Sequence, residues 1–129
     1  MYSIKMDSMF VKLKLTALYN LIKTLLENGV VPDSVFATND AQAIVVMRAI
    51  YDCGYQIPKD ISVVGFDNIE ISSLVEPPLS TVSLPLYDIG VLATQKLIYQ
   101  IDYKEKYGIL DKPLVDMVET NLIIRKSIR

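Results

Sequence analysis

The sequence predicts an α/β protein, a three-layer α/β/α domain with a mostly parallel sheet. Short apolar segments rich in β-branched residues alternate with longer segments of helical periodicity, and turn residues separate them. The chain of 129 residues is long enough for one domain with a buried core. Hydrophobic residues make up 51% and charged residues 22%, which excludes a disordered or fibrous protein.

The first half of the chain contains two predicted helices and two predicted strands. Apolar residues at helical spacing predict a helix from Leu15 to Leu26, which Asn28-Gly29 ends. Val35 to Ala37 is a short predicted strand, and a second helix is expected from Ala41 to Cys53. Ile61 to Gly65 is β-branched and uncharged, as in a strand buried on both faces.

The second half continues this alternation. After a short helical piece, Pro77-Pro78 precedes a third predicted strand, Ser80 to Leu84. Pro85 opens a helix expected to end near Ile101, because a missing N–H costs nothing at a helix start. Tyr103 to Lys112 is predicted as a charged, solvated connection and Leu114 to Ile124 as a final extended segment.

Composition excludes several classes of chemistry. The chain has no His and a single Cys, Cys53, so a Ser-His-Asp triad, a His or thiolate zinc site and an internal disulfide are excluded. No P-loop or dinucleotide fingerprint is present, and we expect no catalytic residue, metal or cofactor. No apolar run approaches the roughly 20 residues of a membrane helix, and no signal peptide is evident. A cytoplasmic protein without a membrane partner is therefore expected.

The charge distribution argues against nucleic-acid binding by the middle of the chain. The net charge is −2, from 13 basic and 15 acidic residues. Between Val30 and Gly90, only Arg48 and Lys59 oppose eight acidic residues. Because phosphate contacts require Lys and Arg, this part of the chain is not expected to touch DNA.

Polar residues follow the first two predicted strands. Thr38-Asn39-Asp40 comes after the first strand, and Asp67-Asn68 comes after the second. Ligands of parallel α/β sheets bind beyond the carboxyl ends of the strands, where carboxylates and amides can hold hydroxyl-rich molecules. The alternative is local: Asn39 or Asp40 caps the following helix and Asp67 begins a turn.

Three other patterns have simpler interpretations than catalysis. Tyr19 and Lys23 have the four-residue spacing of the short-chain dehydrogenase pair, but without a dinucleotide fingerprint a helix surface is favoured. Cys53 has no basic neighbour that would lower its pKa, so a buried structural cysteine is favoured. Nothing places two acidic residues at one shared site, and solvated loops are favoured for Asp60, Asp67, Glu70 and Glu76.

Four motifs, in this order, resemble the LacI/GalR family of bacterial transcriptional regulators. They are Pro32-Asp33-Ser34-Val35-Phe36-Ala37-Thr38-Asn39-Asp40, Gly54 to Asn68 with its Ile61-Ser62-Val63-Val64-Gly65-Phe66-Asp67 core, Pro77-Pro78-Leu79-Ser80-Thr81-Val82, and Ile124-Arg125-Lys126-Ser127. The resemblance covers residues 19–129, the expected C-terminal lobe of a periplasmic binding protein type I-like sensor. Residues 1–18 do not resemble the family and are expected to form a separate N-terminal segment.

The resemblance implies a sugar or sugar-phosphate effector and a homodimer or higher oligomer. Asn39 and Asp67 match the residues that hydrogen-bond the effector in sugar-responsive relatives, whereas Leu84 replaces a ligand-facing glutamine of several relatives. DNA contacts are expected only through an N-terminal helix-turn-helix, which these residues lack together with most of the first lobe. With half of the cleft missing, we expect weak effector binding or none.

The family dimerises through this lobe. Ile44 and Met47 match interface positions on the helix after Asn39, and Leu74 and Val75 match positions before Pro77-Pro78. Ordinary core packing is the alternative for these four residues. The helix from Leu86 to Ile101 crosses to the first lobe in the family. Here we expect it to fold onto this lobe, swap between chains or drive oligomerisation.

The leading hypothesis is therefore the sensing and dimerisation part of a transcriptional regulator. A sugar-binding protein of a transport system with the same fold is the alternative. A small α/β enzyme is disfavoured, because the chain has no His, no P-loop and no dinucleotide fingerprint.

Overall fold

The computed structural model describes residues 15–129. Three α-helices and a short 3-10 helix alternate with four strands in this part of the chain. In chain order these are α1 (Leu15–Glu27), β1 (Ser34–Phe36), α2 (Asp40–Asp52), β2 (Ser62–Phe66), the 3-10 helix η1 (Glu70–Ser73), β3 (Ser80–Ser83), α3 (Leu86–Tyr107) and β4 (Asn121–Ile123). The predicted alternation of strands and helices is confirmed.

The four strands form one sheet in the order β1-β2-β3-β4. The first three strands are parallel, with Val35 opposite Val63 and Gly65 opposite Thr81. β4 runs antiparallel to β3. The predicted mostly parallel sheet is confirmed, and its carboxyl edge is formed by the residues that follow Phe66 and the ends of β1 and β3.

The core lies between the sheet and the helices α1 and α2. Its buried members include Leu26 of α1, Ile50 of α2, Val63 of β2 and Leu79 before β3. These positions are the inward members of the apolar patterns in the sequence, and burial of each large side chain contributes about 1.5–3 kcal/mol.

A buried serine near the end of the chain joins β2 to the start of β3. The Oγ of Ser127 is fully buried, donates to Val63 O at 2.6 Å and accepts from Ser80 N at 2.7 Å. Ser127 O also accepts from Val63 N at 2.8 Å. These bonds satisfy backbone groups in the interior that would otherwise have no partner.

The second half of the chain departs from prediction in two places. α3 continues to Tyr107, where Gly108 ends it at φ 76°, so the predicted connection from Tyr103 begins as helix. Tyr99, Tyr103 and Tyr107 lie one helical turn apart, with tilted rings whose centroids are 6.0 and 4.5 Å apart, and these contacts favour the extra helix. Of the predicted extended segment Leu114–Ile124, only β4 pairs with the sheet.

α3 contains no buried residue. Its visible partner is the irregular segment before β4: Lys96 pairs with Asp116 at 2.8 Å, and Tyr99 Oη donates to Asp111 Oδ2 at 2.7 Å. The opposite face, which includes Tyr87 and Leu97, remains exposed at 83% and 62%. Folding of α3 onto the lobe is therefore not what the single chain shows, and swapping and oligomerisation stay predictions.

Candidate functional site

The carboxyl ends of the three parallel strands lie at one edge of the sheet and carry the predicted ligand residues. Asn39 follows β1 and Asp67 follows β2, while Leu84 follows β3. The two loops are directly joined, because Ile69 N donates to Asp40 Oδ2 at 2.9 Å. The structure thus brings the predicted residues onto adjacent loops, in the region where such sheets bind ligands.

Asn39 caps helix α2. Its backbone is extended (φ −155°, ψ 164°), and its Oδ1 accepts from Gln42 N at 2.8 Å. The local alternative from the sequence is therefore realised for its carbonyl oxygen. Among the hydrogen bonds of residues 15–129, none involves the Asn39 Nδ2 amide, so this donor can serve a ligand while Oδ1 serves the helix.

Asp67 occupies an unusual backbone conformation. Its φ is 107° and the φ of Asn68 is 53°, two consecutive positive values at non-glycine residues. Such a conformation costs roughly 1–3 kcal/mol for a residue with a side chain, and it persists only where its surroundings enforce it. Asp67 N donates to Val82 O at 2.9 Å, whereas the described part of the chain offers its carboxylate no hydrogen bond.

A fully buried carboxylate, Asp40, supports both loops. Its Oδ1 accepts from Thr81 Oγ1 at 2.6 Å and its Oδ2 accepts from Ile69 N. A Cβ atom at Gly65 would overlap Asp40 Oδ1, so only glycine leaves room for the carboxylate. The sequence suggested Asp40 as a member of the polar cluster after β1 or as a helix cap, but not as a buried support of both loops. The missed signal is the pair of an acid after β1 and a glycine inside β2.

Arg125 supports the same edge from the end of β4. Its guanidinium donates to Asn68 Oδ1 at 2.8 Å, Leu79 O at 2.7 Å and Ser72 Oγ at 3.0 Å. In the sequence, Arg125 is distinguished only as a member of a family motif. Its contacts span up to 57 sequence positions, so local pattern could not reveal them.

The four predicted interface residues lie on α2 and just after η1. Ile44, Met47 and Val75 line one shallow groove of about 260 Å³ together with Arg48, Tyr51 and Glu76. Leu74 is 71% exposed, whereas Met47 is 3% exposed and belongs to the core. The core alternative thus describes Met47 in the single chain, and Ile44, Leu74 and Val75 offer the more accessible apolar surface.

Tyr19 and Lys23, which have the spacing of a dehydrogenase pair, make ordinary surface contacts. Tyr19 Oη donates to Asp52 Oδ2 at 2.7 Å, and Lys23 pairs with Glu27 at 3.7 Å. The hydrogen bond to Asp52 raises the pKa of Tyr19, the reverse of what a tyrosine base requires. Within residues 15–129 no group of three metal-binding side chains occurs, and no described helix is long and apolar enough to cross a membrane.

These residues form a lobe with a mostly parallel sheet and polar side chains at the carboxyl edge of its parallel strands. A family model for the periplasmic binding protein-like domain matches residues 4–128. The match begins inside the segment 1–18, whose first 14 residues lie outside the described part of the chain. The division at residue 18 stays a prediction.

Known repressors are similar to this chain. It is 40% identical over 83 residues to the ribose operon repressor of Escherichia coli K12, covering 64% of this chain and 25% of that protein. It is 41% identical over 98 residues to the probable HTH-type transcriptional repressor ExuR of Bacillus subtilis, covering 76% and 28%. The chain thus spans about a quarter of the length of these relatives.

Solved structures agree with the sequence relatives. A dimeric Lac repressor with an 11-residue C-terminal deletion superimposes with a TM-score of 0.73 at 29% identity, over 89% of this chain and 40% of that one. The chain belongs to the LacI/GalR family and carries its periplasmic binding protein-like domain. The predicted family and fold are confirmed.

Proposed function

We propose that the chain is the effector-binding and dimerisation part of a transcriptional regulator of the LacI/GalR type. The effector is a sugar or sugar phosphate, held at the carboxyl edge of the sheet by Asn39 and Asp67. The observation that carries this proposal is the carboxylate of Asp67. It follows β2 at φ 107°, and the hydrogen bonds of the described chain leave it free to accept from a ligand.

The chemistry of the two side chains suits a polyhydroxylated ligand. The Asp67 carboxylate can accept from two neighbouring hydroxyls, and the Asn39 Nδ2 amide can donate to a hydroxyl or phosphate oxygen. Leu84 offers only an apolar contact at the end of β3. Polar groups that an effector directs toward β3 therefore need partners from another part of the regulator.

The relatives support a regulator over a transport binding protein. The two sequence relatives are named as repressors, one of them of a ribose operon, and the structural relative is a dimeric repressor. A regulator of this kind works in the cytoplasm without catalysing a reaction. The acidic stretch between Val30 and Gly90 disfavours DNA contact, so we assign DNA binding to a helix-turn-helix outside these residues.

Titration of the isotope-labelled chain with D-ribose and D-ribose 5-phosphate, followed by backbone amide NMR, tests this proposal. We expect shifts at residues 37–40 and 66–69, with a dissociation constant weaker than about 1 mM because one lobe supplies only part of the contacts. Asp67→Ala should abolish these shifts, since it removes the acceptor.

The matched control is Glu70→Gln. It also removes a negative charge, but from an exposed side chain three residues after Asp67. This variant should titrate like the unmodified chain. Shifts that survive Asp67→Ala, or no shift at up to about 100 mM of either sugar, would contradict the proposed site.

A further inference from the structure

Arg125 contacts both residues 67–69, called here the proposed ligand loop, and the segment η1 that leads to Leu74 and Val75, called here the predicted dimer surface. Its Nη2 donates to Asn68 Oδ1, next to Asp67, and its Nη1 donates to Ser72 Oγ in η1, which leads to Leu74 and Val75. The same Nη1 also donates to Leu79 O at 2.7 Å. One planar group therefore connects the residues proposed to bind the ligand with the segment that leads to the predicted dimer surface.

The charged guanidinium of Arg125 donates its hydrogen bonds to neutral acceptors, one on the backbone and two on side chains. None of the ion pairs within residues 15–129 involves Arg125, so its half-buried guanidinium is not paired with a carboxylate of the described chain. Its backbone N donates to Ser80 Oγ at 2.8 Å, which fixes the residue to the start of β3. Hydrogen bonds from a charged donor are stronger than neutral ones, so the guanidinium holds its three acceptors in place strongly.

Both groups that Arg125 holds are themselves strongly constrained. Asn68 has φ 53°, and its Nδ2 donates to Ser83 Oγ at 3.3 Å. Ser72 is fully buried and donates to Ile69 O at 2.6 Å. In contrast, Ile69 and Ile71 between them are 39% and 46% exposed. The covalent link from the ligand loop to η1 thus lies on the surface, while the guanidinium links them from within.

We propose that Arg125 is a positioning residue that couples the ligand loop to the dimer surface. A displacement of Asn68 when a ligand binds Asp67 pulls on the guanidinium, and the guanidinium transmits it to Ser72 and hence to Leu74 and Val75. The inference rests on the proposed function, because it uses the ligand and dimer surfaces assigned there. Coupling through a contiguous hydrogen-bond network requires that both ends respond when the shared member is changed.

Arg125→Lys tests the coupling without ligand or dimer. Lysine keeps the charge but has one nitrogen and no planar fork, so it cannot hold all three acceptors in this geometry. We expect native-state hydrogen exchange to accelerate about tenfold at both Ile69 and Val75, with Ala43 and Cys53 of the α2 region unchanged. Equal acceleration at all four amides would indicate general destabilisation and would overturn the proposal, as would no change at Ile69 and Val75.

A second variant should change the exchange rate at Val75 in the opposite direction, and it keeps the proposal testable if the first variant misfolds. Asn68→Asp replaces the neutral acceptor with a carboxylate, which should bind Arg125 more tightly and slow exchange at Val75 about threefold. The control is Lys126→Gln, an exposed neighbour whose side chain makes no described contact, and it should exchange as the unmodified chain does. Unchanged or faster exchange at Val75 in Asn68→Asp would contradict the coupling.

Failure of this inference is distinguishable from failure of the proposed function. If sugars leave the amide spectrum unchanged, the ligand site is wrong while exchange at Ile69 and Val75 still reports on Arg125. If sugars bind but exchange in Arg125→Lys accelerates at only one of Ile69 and Val75, the ligand site is retained and the coupling is refuted.

Discussion

The carboxylate of Asp40 is fully buried, and both of its oxygens accept hydrogen bonds from the neighbouring strand and loop. A buried carboxylate without such partners would cost several kcal/mol, so its bonds to Thr81 and Ile69 are a condition for the fold. They also hold the chain immediately after Asp67 and Asn68, where two positive φ values must be maintained. The ligand loop therefore depends on a residue that no ligand would touch.

Gly65→Ala is expected to destabilise the protein by about 2 kcal/mol or more, because the new Cβ would overlap Asp40 Oδ1 and contact Leu79. Gly90→Ala is the matched control: nothing lies within 4 Å of its Cβ position, and alanine favours the helix by about 0.5–1 kcal/mol. Urea denaturation measures both. Equal stability of the two variants would show that Asp40 can move away at little cost.

The two helices α1 and α2 are joined at their outer side by Asp52. Its Oδ2 accepts from Tyr19 Oη at 2.7 Å and from Arg48 Nε at 2.9 Å. The hydrogen bond from Tyr19, followed by that from Arg48, holds the pKa of Asp52 below its ordinary value. A carboxyl group whose pKa is lowered by folding stabilises the folded state when it is ionised.

The contribution of Asp52 should therefore be complete above the pKa of a free aspartate, about 3.9, and disappear as pH falls through its lower folded value. Asp52→Asn is expected to reduce the melting temperature at pH 7, and the difference from the unmodified chain should shrink as the pH drops below about 4. Asp102→Asn on the exposed surface of α3 serves as a control and should leave the melting temperature at pH 7 close to that of the unmodified chain. Thermal unfolding followed by circular dichroism measures this, and a difference that persists unchanged at pH 3 would contradict it.

Elements with strong local signals were predictable from the sequence. α1, α2 and the three parallel strands lie within one or two residues of their predicted bounds, since apolar spacing and Asn, Gly or Pro mark their ends. The end of α3 was not predictable, because the charges after Tyr103 suggested a solvated connection, whereas contacts such as that of the Tyr103 and Tyr107 rings favour helix there.

Long-range bonds explain the remaining gaps in the prediction of the site. Asn39 and Asp67 could be placed because each follows a strand, whereas the supporting bonds of Asp40 and Arg125 reach across 41 and 57 positions. Such bonds depend on how the strands are arranged in the sheet. A periodic pattern in the sequence contains no information about these partners.

At the scale of the whole molecule, two of the apolar surfaces of residues 15–129 bear on oligomerisation. One is the groove around Ile44 and Val75 with the exposed Leu74, and the other is the uncovered face of α3. Apolar patches of this kind mark contacts with other chains or domains. The position of Leu74 beside the groove makes it the most direct probe of the predicted dimer.

Leu74→Glu is expected to weaken the homodimer at least tenfold, because a charge would be buried in an apolar contact. The side chain is 71% exposed in the single chain, so the fold itself should be retained. Val30→Glu, at a residue 54% exposed beyond α1, is the control and should leave the dimer intact. Sedimentation equilibrium measures both. An unmodified chain that stays monomeric at about 100 μM would refute the dimer through this surface.

The bonds of Ser127 also bear on the order in which the protein can be made. Val63 and Ser80 leave the ribosome well before Ser127, yet Val63 N, Val63 O and Ser80 N receive hydrogen-bond partners from this later residue. Although domains generally begin to fold as they are synthesised, the interior between β2 and β3 can be completed only after this part of the chain has emerged. During translation the growing chain therefore carries these backbone groups without their final partners until Ser127 has been added.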